Sequence, residues 1–145
     1  GDLAVADKIH TLLTKAEEPL FIFVITMENH GPLHLEQAHP DAAAKYFKTP
    51  PEQGCEDLTV YLQHLQNADL MIKQLKDSLL AQSRAGLLCW YGDHVPIMEK
   101  VYQRFGEPDG LTEYFIWRTD SSQPKQETLS INQLAVKLLN FAKLL

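Results

Sequence analysis

The chain of 145 residues has few basic residues, few cysteines and no long apolar run. Lysines and arginines number 13 against 19 aspartates and glutamates, and their lack of clustering argues against a nucleic-acid or anionic-membrane partner. No stretch approaches the roughly 20 apolar residues that span a bilayer. Gly1-Asp2 lacks the basic start and the apolar region of a signal peptide, so we expect none in these 145 residues. Cys55 and Cys89 form no metal or redox motif, so we expect two free thiols.

The composition that remains is that of one globular domain. A hydrophobic content of 45% and a charged content of 22% are ordinary, and the length suffices to bury a core. Because no repeat, low-complexity tract or linker divides the sequence, we expect one domain over residues 1–145. Its opening residues, Gly1-Asp2, lead us to expect an excised piece of a longer protein.

Apolar periodicity predicts helices that alternate with strands. We expect strands over 20–26, 87–91 and 112–117, and helices over 3–16, 56–80, 97–104 and 130–145, with one short helical turn around 42–47. This alternation predicts an α/β fold, a mainly parallel sheet with helices on both faces. On the long helix, Asp69 stands between Leu65 and Ile72, so we expect a buried structural carboxylate that accepts hydrogen bonds from a loop.

Two polar loops follow predicted strands, "ENH" at 28–30 and "GDH" at 92–94. Parallel strands would bring both loops to the edge of the sheet where open α/β folds bind ligands. Gly92 and Pro96 would let the chain leave the strand, so that Asp93 and His94 could share one ligand. A carboxylate and an imidazole suit Zn²⁺ or Mn²⁺, and less readily Mg²⁺. The alternative is an aspartate that caps the next helix and a histidine packed beside it.

The remaining candidates are weaker on the residues alone. His30 lies either at this edge or in solvent. For Glu28 we favour a solvated side chain over a third ligand or a group that supports the ligands. The other four histidines are expected to be ordinary loop or helix residues; they are His10, His34, His39 and His64.

Four segments together resemble a known family. "FIFVITMENHGPL", "YLQHLQNADLMIKQLKDSL", "LLCWYGDHVPIM" and "TEYFIW" resemble the C-terminal half of the sulfatase-like branch of the alkaline phosphatase superfamily. Within that branch they look closest to lipoteichoic acid synthase, phosphoglycerol transferases and capsular polysaccharide proteins. The resemblance implies a partial alkaline-phosphatase-like domain, with Asp93 and His94 as ligands of a catalytic divalent metal (Mn²⁺, Zn²⁺ or Mg²⁺). It also implies that His30 contacts the phosphate or sulfate group of the substrate.

The family's nucleophile, a threonine or a modified cysteine or serine, lies with another acidic metal ligand in a segment that nothing here matches. Thr26, inside a predicted strand, is not that nucleophile. The resemblance therefore implies part of a phosphotransferase or phosphate/sulfate ester hydrolase of the cell envelope or capsule, with an incomplete metal shell and little turnover alone. Its parent would be membrane-associated or extracytoplasmic.

Two alternatives remain open at this point. One is a non-catalytic sulfatase-like module in capsule or envelope assembly. The other is an unrelated α/β binding domain, which becomes plausible only if His30 lies far from Asp93 and His94. For a piece of a larger sheet we also expect either self-association through an unpaired strand edge or a rearranged edge.

Overall fold

Five α-helices and a two-stranded sheet form the regular structure of the described residues. The computed structural model describes residues 1–39, 41–121 and 125–144. Residues 40 and 122–124, in predicted loops, and residue 145, at the end of the predicted closing helix, lie outside this description. In chain order the elements are α1 (Asp2–Lys15), a 3₁₀ turn (Leu33–Leu35), α2 (Ala42–Tyr46), α3 (Asp57–Leu80), β1 (Leu87–Tyr91), α4 (Glu99–Phe105), β2 (Tyr114–Arg118) and α5 (Ile131–Phe141).

Helix α3 is the element around which the rest packs. Apolar residues return along it every three or four positions, which places them on one face of a helix. The C-terminal half of this face packs against α1 in a first apolar cluster, the α1 cluster, which consists of Ala6, Ile9, Met71 and Leu75. Leu88 and Trp90 of β1 cover this cluster, so the strand is fixed to the same helix.

The N-terminal half of α3 contributes to a second apolar cluster, the Leu33 cluster. Its buried members are Leu33, Cys55, Val60, Met98 and Val101. The cluster joins the loop after residue 30, the start of α3 and the start of α4. Two loops that are more than 60 residues apart in sequence are thereby held against one helix.

The predicted mainly parallel sheet is not confirmed. In the described residues β1 pairs antiparallel with β2, from Leu87 opposite Arg118 to Tyr91 opposite Tyr114. A parallel pair needs a connection that crosses the face of the sheet, usually a helix. Here the helix between the strands, α4, is short and packs in the Leu33 cluster instead, so the chain returns directly beside β1.

The predicted strand over 20–26 is absent, although the segment is apolar and rich in residues that favour strands. Within the described residues the segment pairs with no strand. Its side chains are largely exposed, with Phe21 at 82% and Ile25 at 70%. Only Ile22 contacts the α1 cluster. A preference for strand reflects packing on a sheet, so a segment without a neighbouring strand cannot realise it.

The expectation for Asp69 is wrong, because this residue is exposed. The buried face of α3 runs through His64, Ala68, Met71 and Leu75, and therefore excludes position 69. Both thiols are free as predicted, and burial raises the pKa of the Cys89 thiol. None of the described helices combines the length and the apolarity needed to cross a membrane.

Leu33→Ala should destabilise the protein strongly, because Leu33 is 0% exposed and links the two loops to α3. We expect a loss of about 2–5 kcal/mol in the free energy of unfolding, measured by urea denaturation. Leu35→Ala is the matched control, because Leu35 belongs to the same 3₁₀ turn and is 74% exposed. Equal losses in the two variants would contradict the assignment of Leu33 to the core.

Candidate functional site

The structure brings His30 and His94 together. Their ring centroids are 6.0 Å apart and the rings meet edge to face at 80°. Asp93 is the neighbour of His94, so the two loops singled out by the sequence form one exposed site at the C-terminal end of β1. They meet without a parallel strand pair, because the Leu33 cluster joins the segments that follow them.

The chain leaves β1 at Gly92, as the sequence predicted. The Gly92 N–H donates to the carbonyl of Glu113 (3.1 Å), and the Thr112 hydroxyl donates to the carbonyl of Gly92 (2.7 Å). A Cβ at position 92 would lie 3.1 Å from the Cβ of Thr112, so a side chain here would crowd Thr112. Further on, the Tyr102 hydroxyl donates to the carbonyl of Pro96 and fixes the segment against α4.

Asp93 does not cap the following helix. Helix α4 begins at Glu99, its N-cap is Met98, and no side chain forms a capping hydrogen bond there. Instead the Asp93 Oδ1 atom accepts from the N–H of His94 at 3.0 Å, and Oδ2 lies 3.8 Å from His94 Nε2. The carboxylate and the imidazole therefore face the same exposed space, and the capping alternative is wrong.

Both histidines of the site are held through the same ring atom. Nδ1 of His30 lies 2.7 Å from the carbonyl oxygen of Gly31, and Nδ1 of His94 lies 2.8 Å from that of Val95. A carbonyl oxygen only accepts, so Nδ1 carries the hydrogen and Nε2 of the neutral ring has a free lone pair. Metal-binding histidines are commonly oriented in this way by their second nitrogen.

Glu28 is neither solvated nor a member of the exposed site. Its Oε2 atom accepts from the backbone N–H of Asp2 at 2.5 Å, and its Oε1 atom accepts from the side-chain amide of Asn67. Burial opposes the ionisation of Glu28, but these hydrogen bonds, with the electrostatic effect of the nearby His64 and N-terminus, outweigh it and lower the pKa of Glu28. The expectation of a solvated Glu28 is therefore wrong.

Asp2 and Asn67 are contacts that the sequence reasoning missed. Asp2 is 1% exposed, and its Oδ2 atom has no partner among the described residues. Burial, and then the charge of Glu28, raise the pKa of Asp2. An aspartate in the first turn of a helix is ordinarily explained by its favourable interaction with the helix dipole. Nothing in the neighbouring sequence therefore indicated that Asp2 is buried beside Glu28.

Three of the remaining histidines have partners elsewhere, and Nδ1 of His39 accepts from the N–H of Asp41 at 3.3 Å. Nδ1 of His10 lies 2.9 Å from the Ser78 hydroxyl, and Nε2 of the buried His64 lies 3.1 Å from Glu36. Within the ranges 1–39, 41–121 and 125–144, no group of three or more histidine, cysteine, aspartate or glutamate residues could hold a metal. The chemistry of Asp93 and His94 fits a divalent cation, but these two residues do not complete a shell.

The match to a protein-family model defines the class of this protein. The sulfatase model matches residues 2–143, and the chain belongs to the sulfatase family. Membership carries the α/β class, although the described strands are antiparallel. It also removes the alternative of an unrelated binding domain.

Three relatives are similar to this chain. The chain is 27% identical over 128 residues to a putative cyclic β-1,2-glucan modification protein of Rhizobium meliloti (strain 1021), covering 88% of this chain and 20% of the relative. It is 33% identical over 102 residues to the capsular polysaccharide biosynthesis protein RkpI of the same strain, covering 69% and 16%. An uncharacterized protein of Haemophilus influenzae is 23% identical over 130 residues, covering 85% and 23%.

The chain thus spans about a fifth of the length of these curated relatives. No solved structure matches the chain significantly.

Asp2→Asn should change how stability depends on pH. A buried acid with a raised pKa favours the folded state most while it is protonated. The wild-type protein should therefore lose stability as the pH rises above 3.8, the ordinary pKa of aspartate. The variant lacks this loss, whereas the contribution of Glu28, lost below its ordinary pKa of 4.5, persists in both proteins. The melting temperature of the variant relative to wild type should rise by about 2–4 °C between pH 4 and 7.

Asp7→Asn, on the exposed side of the same helix, is the control for the change of charge. If the melting temperature of Asp2→Asn relative to wild type stays constant with pH, the pKa of Asp2 is not raised in the folded protein.

Proposed function

We propose that this chain is part of a metal-dependent phosphotransferase or phosphate/sulfate ester hydrolase of the cell envelope. Asp93 and His94 would supply two ligands to a divalent metal, and His30 would contact the phosphate or sulfate group of the substrate. The observation that carries this proposal is the 6.0 Å approach of the His30 and His94 rings beside the exposed carboxylate of Asp93.

The chemistry of the three side chains suits these roles. A bound Mn²⁺, Zn²⁺ or Mg²⁺ would polarise an ester oxygen and offset negative charge. Asp93 offers a charged carboxylate oxygen, and His94 offers the lone pair of Nε2, because Nδ1 is engaged by Val95. His30 in its protonated form offers an Nε2–H donor to an oxyanion, while the carbonyl of Gly31 keeps its ring in place.

The substrate class is proposed from the relatives. Their names refer to capsular polysaccharide biosynthesis and to cyclic glucan modification, which supports a phosphate or sulfate ester of an envelope glycan. Because the chain covers about a fifth of these relatives, the nucleophile and the missing metal ligands are assigned to a longer protein. On this proposal the 145-residue chain alone has little or no turnover.

A second candidate is a sulfatase-like module that has kept the fold and lost the chemistry. It is favoured by the two-ligand set, since the described residues offer no third ligand that would complete the shell. The two candidates make the same prediction for turnover by this chain and differ in whether Asp93 and His94 bind metal.

Removal of either proposed ligand should weaken metal binding. We expect weak, saturable binding of Zn²⁺ and Mn²⁺ to wild type in calorimetric titrations, and affinity at least about tenfold lower in Asp93→Ala and His94→Ala. His34→Ala, which removes an exposed histidine of the 3₁₀ turn, should bind as wild type does. Identical binding by wild type and His94→Ala would contradict the ligand assignment.

The same preparations test turnover. With Mn²⁺ present, wild type should not hydrolyse a generic phosphodiester or sulfate ester above the rate of Asp93→Ala. Turnover by wild type that Asp93→Ala abolishes would disprove the proposal that the chain alone is inactive.

The exposed segment 20–27 supports the proposal that the chain self-associates. Phe21, Phe23, Ile25 and Met27 alternate along it and are all exposed, as on one face of a strand. Phe23→Lys should therefore lower the fraction of dimer or higher oligomer in sedimentation velocity over a tenfold range of concentration. Phe105→Lys is the control, because Phe105 is exposed at the end of α4. A wild type that is monomeric throughout this range would contradict the proposal.

A further inference from the structure

We propose that Glu28 is a positioning residue, whose carboxylate ties the loop that carries His30 to α1 and α3 and so holds His30 beside His94. The inference rests on the proposed function, in which His30 contacts the substrate and His94 binds metal. It assigns to Glu28 a role in the geometry of the site without any contact to either ligand.

The carboxylate of Glu28 joins three separate parts of the chain. One oxygen accepts from the backbone N–H of Asp2, in the first turn of α1, and the other accepts from the amide of Asn67, in the middle of α3. These donors are 26 and 39 residues away in sequence. A side chain that bonds to two helices at once restrains its own backbone much more than a single surface hydrogen bond does.

The restraint on Glu28 passes directly to His30. The His30 N–H donates to the carbonyl of Met27 at 3.1 Å, so Glu28 lies within a closed turn that ends at His30. Three residues further on, Leu33 is fully buried in the cluster that also contains Met98. His30 therefore lies between a polar anchor on one side and an apolar anchor on the other.

The apolar anchor has its counterpart near His94. Met98, four residues after His94, packs in the same cluster as Leu33, and Ile97 lies beside Gly31. This apolar anchor holds only residues that follow His30. The Glu28 contact is the one that restrains the other end of the turn, and it accounts for a half-buried acid whose charge is offset by two donors.

Glu28→Ala removes both acceptors and leaves the two donors without a partner in the turn. Glu28→Gln alone does not break the contact, because the Asn67 amide can turn over and accept from the new amide while Asp2 still donates to the glutamine oxygen. Asn67→Asp places two carboxylates together instead. The double variant Glu28→Gln/Asn67→Asp restores a donor and an acceptor, because the glutamine can donate to the new carboxylate and still accept from Asp2.

The test measures the contact between the two histidine rings by NMR. Wild type should show a nuclear Overhauser cross-peak between ring protons of His30 and His94. We expect Glu28→Ala and Asn67→Asp each to lose at least two thirds of the intensity of this cross-peak, and the double variant to recover most of it. Glu18→Ala, the same change at an exposed position, should leave the cross-peak unchanged. If Glu28→Ala does not fold, Asn67→Ala, which removes one donor only, is measured in its place and should show the same loss.

Thermal stability measured on the same samples separates positioning from general stabilisation. If the single variants melt at lower temperature but keep the full cross-peak, Glu28 only stabilises the fold and the inference is wrong. If the double variant stays as weak as the single variants, the Glu28–Asn67 pair does not position His30, and the inference is equally wrong.

Added Zn²⁺ distinguishes failure of this inference from failure of the proposed function. The ring resonances of His94 should shift with Zn²⁺ in wild type and in Glu28→Ala, because neither Asp93 nor His94 contacts Glu28. An absence of this shift in wild type counts against the metal site, whereas the ring-to-ring cross-peak is measured without metal and reports on Glu28 alone.

Discussion

The burial of Leu33 and Met98 in one apolar cluster on helix α3 is the contact on which the site depends. Leu33 follows His30 by three residues and Met98 follows His94 by four, so their joint burial brings two distant loops to one place. Exposed polar residues have little apolar area with which to hold a position of their own. Here Leu33 and Met98 supply the buried apolar area, and the histidines before them stay exposed to solvent.

The polar contacts add direction to this apolar anchoring. Carbonyl groups of Gly31 and Val95 hold Nδ1 of the two histidines, which turns Nε2 outward in each case. The Glu28 carboxylate restrains the other end of the His30 turn. Burial, and then the adjacent charge of Glu28, raise the pKa of Asp2. Apolar burial thus sets where the loops lie, and hydrogen bonds set which atoms they present.

Much of the local structure could be predicted from the sequence. The features that depend on contacts between distant segments of the chain could be predicted less well. The period of α3 and the apolar run of β1 are properties of their own residues, and Gly92 marks the departure from the strand. The parallel sheet and the strand over 20–26 needed a neighbouring strand, which a single segment cannot specify. Asp69 was misplaced because Leu65 suggested a buried face that the helix instead centres on Ala68 and Met71. The role of Glu28 depends on donors from α1 and α3 that only the fold brings together.

The exposed apolar segment and the proposed metal site are neighbours in the structure. Residues 20–27 run directly into the turn that ends at His30, and their exposed side chains include Phe23, Ile25 and Met27. Because the carbonyl of Met27 accepts the hydrogen bond that closes this turn, the exposed apolar segment ends directly beside His30.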